Sequence, residues 1–168
     1  MRFRNWLYDK EVLSSSEHPI AVVCVGNITV GGTGKTPLVD FILSHKSDIF
    51  GDLSLAVVSR GYGRKTHEQV VATGDATAET IGDEAMMLHS RHPDTVFILD
   101  GDRNAAIETA VSMDHEAVLM DDGMQHRSTM ARLYIAVCDY SRPMWDDMML
   151  PAGDLREPWR GEIGRAHV

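Results

Sequence analysis

Residues Thr29-Val-Gly-Gly-Thr-Gly-Lys-Thr36 constrain the fold of this 168-residue chain more than any other stretch. They follow a continuous apolar run, Ile20-Ala-Val-Val-Cys-Val25, whose β-branched residues suit a strand buried on both faces. After Thr36, residues Leu38, Val39, Ile42 and Leu43 recur at helical spacing, so the glycines sit where a parallel strand turns into a helix. In that setting the N–H groups around Gly31, Gly32 and Gly34 can curl into an anion-binding nest. The helix start near Lys35 adds unpaired donors and a positive dipole end. A nucleotide phosphate is the ligand such a loop takes. Thr29, Val30, Gly31, Gly32, Thr33, Gly34, Lys35 and Thr36 are therefore the candidate phosphate loop. Lys35, expected to face solvent without nucleotide, would hold the β- and γ-phosphates, and the Thr36 hydroxyl would complete the shell of a magnesium ion. Thr29 stands where the usual pattern has glycine. A flexible glycine-rich turn with a solvated lysine is the competing reading.

Ala117-Val-Leu-Met120 reads as a second buried strand, and it ends in Asp121-Asp-Gly-Met-Gln-His126. Carboxylates at the C-terminal end of a parallel strand project into the ligand crevice of an open α/β sheet, so Asp121 or Asp122 is placed to orient magnesium. Two adjacent aspartates after a strand also make an ordinary turn. Further strands are expected over Leu53 to Val58, Thr95 to Leu99 and Leu133 to Cys138, and helices over Thr36 to Ser44, Asp83 to Arg91 and Arg103 to Ser112. That alternation predicts an α/β fold of the P-loop NTPase kind: a mostly parallel sheet with helices on both faces. A short hairpin is expected near Gln69 to Thr73, and an irregular apolar flap over Met144 to Leu150.

Six blocks then occur in one order: Gly26-Asn-Ile-Thr-Val-Gly-Gly-Thr-Gly-Lys-Thr-Pro37, Ser59-Arg-Gly-Tyr-Gly63, Gly82-Asp-Glu84, Gly101-Asp-Arg103, Asp121-Asp-Gly-Met-Gln-His126 and Leu150-Pro-Ala-Gly-Asp-Leu-Arg-Glu-Pro158. Together they resemble the tetraacyldisaccharide 4'-kinase family of Gram-negative bacteria, from about Arg4 to Arg160. That family shares Thr or Ser at the position of Thr29. The resemblance implies transfer of the γ-phosphoryl group of ATP, with Mg2+, to the 4'-hydroxyl of an acylated glucosamine disaccharide lipid. It also implies work at the cytoplasmic face of the inner membrane. Asp83 matches the family's general base, and Glu84 is similar to a residue supporting the metal. Arg103, Gln125, His126, Arg156 and Glu157 match family positions near nucleotide or substrate. Read alone, Asp83 could be a helix N-cap with Glu84 in the first turn, and His126 an exposed loop histidine. Gly61 and Gly63 could serve a tight turn, and Pro151, Gly153 and Pro158 an ordinary loop.

An apolar fraction of 43% suits one α/β domain with its own core, and a net charge of −9 argues against nucleic acid as a partner. The same charge is awkward at an anionic membrane, because the basic cluster near an end is only Arg2 and Arg4. Cys24 and Cys138 lie in apolar runs without Cys-x-x-Cys spacing, so reduced thiols are expected. No signal peptide or spanning helix is visible. Residues 1–19 read as the segment following a membrane-docking helix, and 20–161 as the N-terminal lobe of a kinase whose histidine-bearing second lobe is missing. The last seven residues, Glu162 to Val168, back-translate to the start of a widely used sequencing adaptor, and natural sequence is expected only through about Gly161. Two other classes stay open: a nucleotide-binding module without catalysis, and a P-loop ATPase or GTPase switch. The switch lacks support, because no Asn-Lys-x-Asp motif occurs and the sole Asp-x-x-Gly, Asp48 to Gly51, precedes a strand.

Overall fold

The computed structural model describes residues 7–156 apart from 9, 11, 30, 31 and 142. Val30, Gly31 and Glu157 of the expected site, the Arg2 and Arg4 pair, and the 162–168 tail lie outside the described residues. Among the described residues the sheet strands are β1 (Ala21–Gly26), β2 (Leu55–Ser59), β3 (Val70–Val71), β4 (Val96–Leu99), β5 (Ala117–Asp121) and β6 (Leu133–Ala136). The helices that accompany them are α1 (Lys35–Ser44), α2 (Lys46–Phe50), α3 (Ala78–Ile81), α4 (Asp83–Arg91) and α5 (Arg103–Ser112). The strands make one sheet in the order β3-β4-β2-β5-β1-β6, parallel except for β3.

The pleat sends alternate residues of each strand to opposite faces, and here both faces are covered. Ala56, Val58, Val118 and Met120 pack on one side against Ala106, Ile107 and Ala110 of α5. Leu55, Val57, Ala117 and Leu119 pack on the other against Val39, Ile42 and Leu43 of α1 and Ala85 and Leu88 of α4. Burial on both faces is why β2 and β5 read as unbroken apolar runs.

Two expectations need correction. Residues 69–73 form no hairpin: the Gly74-Asp75 turn leads instead into a capping box between Thr77 and Thr80 that opens α3. Val70 and Val71 therefore pair antiparallel with the edge of β4, opposite Leu99 and Ile98. The last strand stops at Ala136, so Cys138 lies beyond it; both cysteines are free thiols.

The loop after β2 lies directly on the start of α4. A Cβ placed on Gly82 (φ 89°) would collide with the Tyr62 carbonyl oxygen, and one on Gly61 (φ 68°) would stand 2.9 Å from the Ile81 carbonyl. The Lys65 N–H donates to Glu79 O (2.9 Å) and the Thr66 hydroxyl to Thr80 O (3.2 Å), which seats the rest of the loop on α3. Gly82→Ala combines a disfavoured φ with a backbone clash and should lower stability by roughly 2 kcal/mol or more. Gly74→Ala, with open space around it, should stay within about 0.5 kcal/mol of wild type. Equal melting temperatures for the two variants would contradict the close packing of loop on helix.

Candidate active site

Because β1 and β5 are parallel neighbours with Val25 opposite Asp121, both strands end at one edge of the sheet. Asn27 is buried just past β1, and its polar groups organise the phosphate loop. Its side-chain amide donates to Thr29 O at 2.9 Å, and its Oδ1 accepts from Lys35 Nζ at 2.9 Å. Its carbonyl accepts from Gln125 Nε2 at 2.7 Å. Lys35 opens α1 behind Gly34, whose left-handed backbone (φ 87°) makes the N-cap and supplies no side-chain acceptor. The first N–H groups of α1 are thus left for an incoming anion. Lys35 Nζ also lies 3.4 Å from Asp122 Oδ1, and its side chain is only 18% exposed. The expected solvent-facing lysine is instead held across the mouth of the loop by these two partners.

Asp121 is 6% exposed, and burial pushes its carboxyl up to about 6, with the neighbouring charges of Asp122 and then Glu84 acting in the same direction. Lys35 and Arg103 oppose the shift. Four residues from four separate sequence blocks, Lys35, Glu84, Arg103 and Asp122, therefore act on the charge of this one carboxylate. Arg103, the first residue of α5, is 4% exposed; its Nη1 donates to Asp100 O (2.5 Å), and its Nε is buried without a partner. Burial lowers its pKa, Asp122 works against that, and Arg60 adds to it.

Asp83 is exposed and is the first residue inside α4, because Gly82 holds the N-cap and no side chain caps that helix. The N-cap reading of Asp83 is thereby overturned: a glycine with positive φ occupies the position. Glu84 does lie in the first turn. Leu155 is buried and bridges to Thr29, and the Arg156 N–H donates to Ile28 O at 2.7 Å. The Leu150 to Arg156 block folds back onto the phosphate loop, so it is not an ordinary surface loop. The His126 N–H closes a turn onto Gly123 O at 2.9 Å. Asn27 joins the phosphate loop to the Asp121–His126 loop, although the motifs alone assign it no role. Asn27 carried a usable signal, a polar side chain immediately after a strand buried on both faces.

Two observations fit an anionic ligand with a cation. The hydroxyls of Thr29 and Thr33 are buried with no partner, as donors awaiting an acceptor would be. The charges of Asp122 and Glu84 both act against ionisation of the buried Asp121. Among the described residues no three His, Cys, Asp or Glu side chains are assembled as a metal cage. Magnesium does not need one, since it commonly takes one or two carboxylates and fills its shell with water and phosphate oxygens.

The family model described as Tetraacyldisaccharide-1-P 4'-kinase (LpxK) matches residues 1–168. The chain belongs to this family. The tetraacyldisaccharide 4'-kinase of Porphyromonas gingivalis is 46% identical over 172 aligned residues, which cover 100% of this chain and 47% of that protein. The one from Bacteroides fragilis is 40% identical, covering 98% and 44%. A crystal structure of LpxK from Aquifex aeolicus in complex with ATP superposes with a TM-score of 0.84 at 32% identity, over 96% of this chain and 51% of that one. The P-loop NTPase-like α/β fold expected from the sequence is thus the fold of this LpxK-family chain. The chain spans about half the length of the curated relatives it matches.

The electrostatics yield a prediction with a definite sign. An aspartate raised from 3.8 to about 6 binds its proton more tightly in the folded state, so stability falls as pH rises between those values. Asp121→Asn should therefore stabilise the ligand-free protein above pH 6 by on the order of 3 kcal/mol, and the gain should vanish by about pH 4. Thermal melting of both proteins across pH 4 to 8 measures this; a gain independent of pH would show that Asp121 is not the titrating group.

Proposed function

We propose that this chain is the nucleotide-binding part of a kinase that transfers the γ-phosphoryl group of ATP to the 4'-hydroxyl of a tetraacyldisaccharide 1-phosphate lipid. The convergence of the Lys35 loop and the Asp121, Asp122 and Glu84 carboxylates at one sheet edge carries this reading. Family membership supplies the acceptor. Lys35 and the first-turn N–H groups of α1 bind the β- and γ-phosphates. Thr36, Asp121, Asp122 and Glu84 would hold Mg2+, which when bound neutralises phosphate charge. Asp83 receives the proton of the acceptor hydroxyl as that oxygen attacks, and its exposure at the start of α4 leaves it accessible to a lipid headgroup. Arg103, Gln125, His126, Arg156 and Glu157 line the nucleotide or the acceptor. Positioning and charge neutralisation supply most of the rate in such a reaction.

The acceptor places this protein at the cytoplasmic face of the inner membrane. No helix among the described residues is long and apolar enough to cross a membrane. Trp145, Met148 and Leu150 are more than half exposed in the flap after β6 and offer apolar contact where net charge does not. A GTPase switch is disfavoured because Asp48 lies within α2, before β2 and away from any strand end.

Lys35→Ala should abolish measurable ATP binding by calorimetry while lowering stability by no more than about 2 kcal/mol, since Asn27 and Asp122 lose a shared partner. Unchanged ATP affinity in the folded variant would sink the loop assignment. In a protein extended to the relatives' length, Asp83→Asn should keep ATP affinity and lower kcat by roughly 100-fold or more. Near-normal turnover there would remove Asp83 as the base. The 168-residue chain alone should bind ATP and phosphorylate no lipid.

A further inference from the structure

The loop after β5 is held from both sides. Inward, Gln125 bonds to the Asn27 carbonyl, and Met124 packs on Gly26 with no room for a Cβ between them. Outward, it is held by a segment more than a hundred residues earlier in the chain. The Ser16 N–H donates to Ser128 O at 2.7 Å, the Met130 N–H donates to Ser16 O at 2.9 Å, and the Ser15 hydroxyl donates to Arg127 O at 2.5 Å. Ser16 thus pairs with Thr129 as a one-residue parallel strand. The Arg127 guanidinium stacks 5.4 Å from the centre of the Tyr8 ring.

Asn104, beside Arg103 in the first turn of α5, joins these pieces. Its Oδ1 accepts from the buried Thr129 hydroxyl at 2.7 Å and from His18 Nε2 at 3.0 Å, while its Nδ2 donates to Ser128 O at 3.3 Å. That pattern requires the proton on His18 Nε2, because the shared amide oxygen only accepts. The network is satisfied at every atom named, so each bond is geometrically selective as well as stabilising.

We propose that Ser15 to His18 form a strap, and that Asn104 is the positioning residue through which the strap fixes the Asp121–His126 loop against the phosphate loop. A free loop of this length would sample many arrangements of its acidic end, and the outer bonds remove those in which Gln125 leaves Asn27. Asn104 acts through its bonds to Thr129 and Ser128. The consequence for magnesium and ATP rests on the proposed kinase function, whereas the mechanical role does not.

Hydrogen exchange and nucleotide binding on the 168-residue chain test the two parts separately. In Asn104→Ala the amides of His126 and Thr129, each bonded within the loop, should exchange about tenfold faster, the scale of losing one or two buried hydrogen bonds. The amides of Val118 to Met120 in β5 should be unchanged. ATP affinity measured with Mg2+ should fall about tenfold, while affinity measured in EDTA stays within about twofold, because the phosphate loop itself is intact. His18→Ala should move all readouts in the same direction by less, and His18→Gln, which keeps a donor near Nε2, should restore them. Unchanged loop exchange in both alanine variants would overturn the strap. Equal acceleration in β5 would reduce Asn104 to a general stability residue. Faster loop exchange with equal losses in Mg2+ and in EDTA, or with no loss, would overturn its positioning of the acidic end. A wild-type chain that bound no ATP would instead refute the kinase reading and leave exchange to decide the strap.

Discussion

Parallel pairing of β1 with β5, in the register that sets Val25 opposite Asp121, is the constraint on which everything else depends. Parallel strands all present their carboxyl ends on one side, so the glycine-rich loop leaving β1 and the acidic loop leaving β5 emerge together. A shift of one residue would turn Asp121 to the other face of the sheet and carry Val118 and Met120 out of their contact with α5. Core packing thus selects the register, and the register places the chemistry.

The edge so formed is electrostatically unsatisfied. The buried Asp121 carboxylate feels the charges of Asp122 and Glu84, against Lys35 and a buried Arg103 whose Nε has no acceptor among the described residues. A sequence selected for stability alone would not retain this. On the proposed function, a nucleotide with its cation would bring positive charge to Asp121 and acceptor oxygens to the hydroxyls of Thr29 and Thr33. The side-chain amide of Asn27, bonded to Thr29 O, and the bridge of the returning Leu155 to Thr29 tie the phosphate loop in place.

Local signals were legible where one element carries them whole. The bounds expected for α4 and α5 match those observed, and the buried strands follow from their apolar runs. Lys35, Asp121 and Asp122 stood out by loop motif and strand end, and Glu84 and Arg103 through the family resemblance; the parallel topology is what brings the ends of their elements to one side of the sheet. The pairing of β3 was not legible, since two valines say nothing about which edge they join. Helix α3 escaped because its cap is Thr77 with Thr80, where the usual box ends in Glu or Gln. His18 and Asn104 escaped for a deeper reason: each is defined by partners far away in sequence, and no local pattern encodes them. Aspartate and glycine both cap helices, so the sequence does not say whether Gly82 or Asp83 holds the cap of α4; only the positive φ at Gly82 distinguishes them.

The contact between Gly61 and Gly82 has a consequence for how this chain can change over time. Where two side chains touch, a substitution on one can be offset by shrinking the other, and lineages drift through such pairs. Here the Tyr62 carbonyl opposes Gly82, and the Ile81 carbonyl stands beside the Arg64 side chain opposite Gly61, so changing Arg64 would leave a main-chain carbonyl that no codon alters. Neither glycine has a compensating partner, so the loop bearing Tyr62 and the helix bearing Asp83 are inherited as one rigid joint. New acceptor preferences would have to come from side chains on either side of that joint, with its geometry left alone.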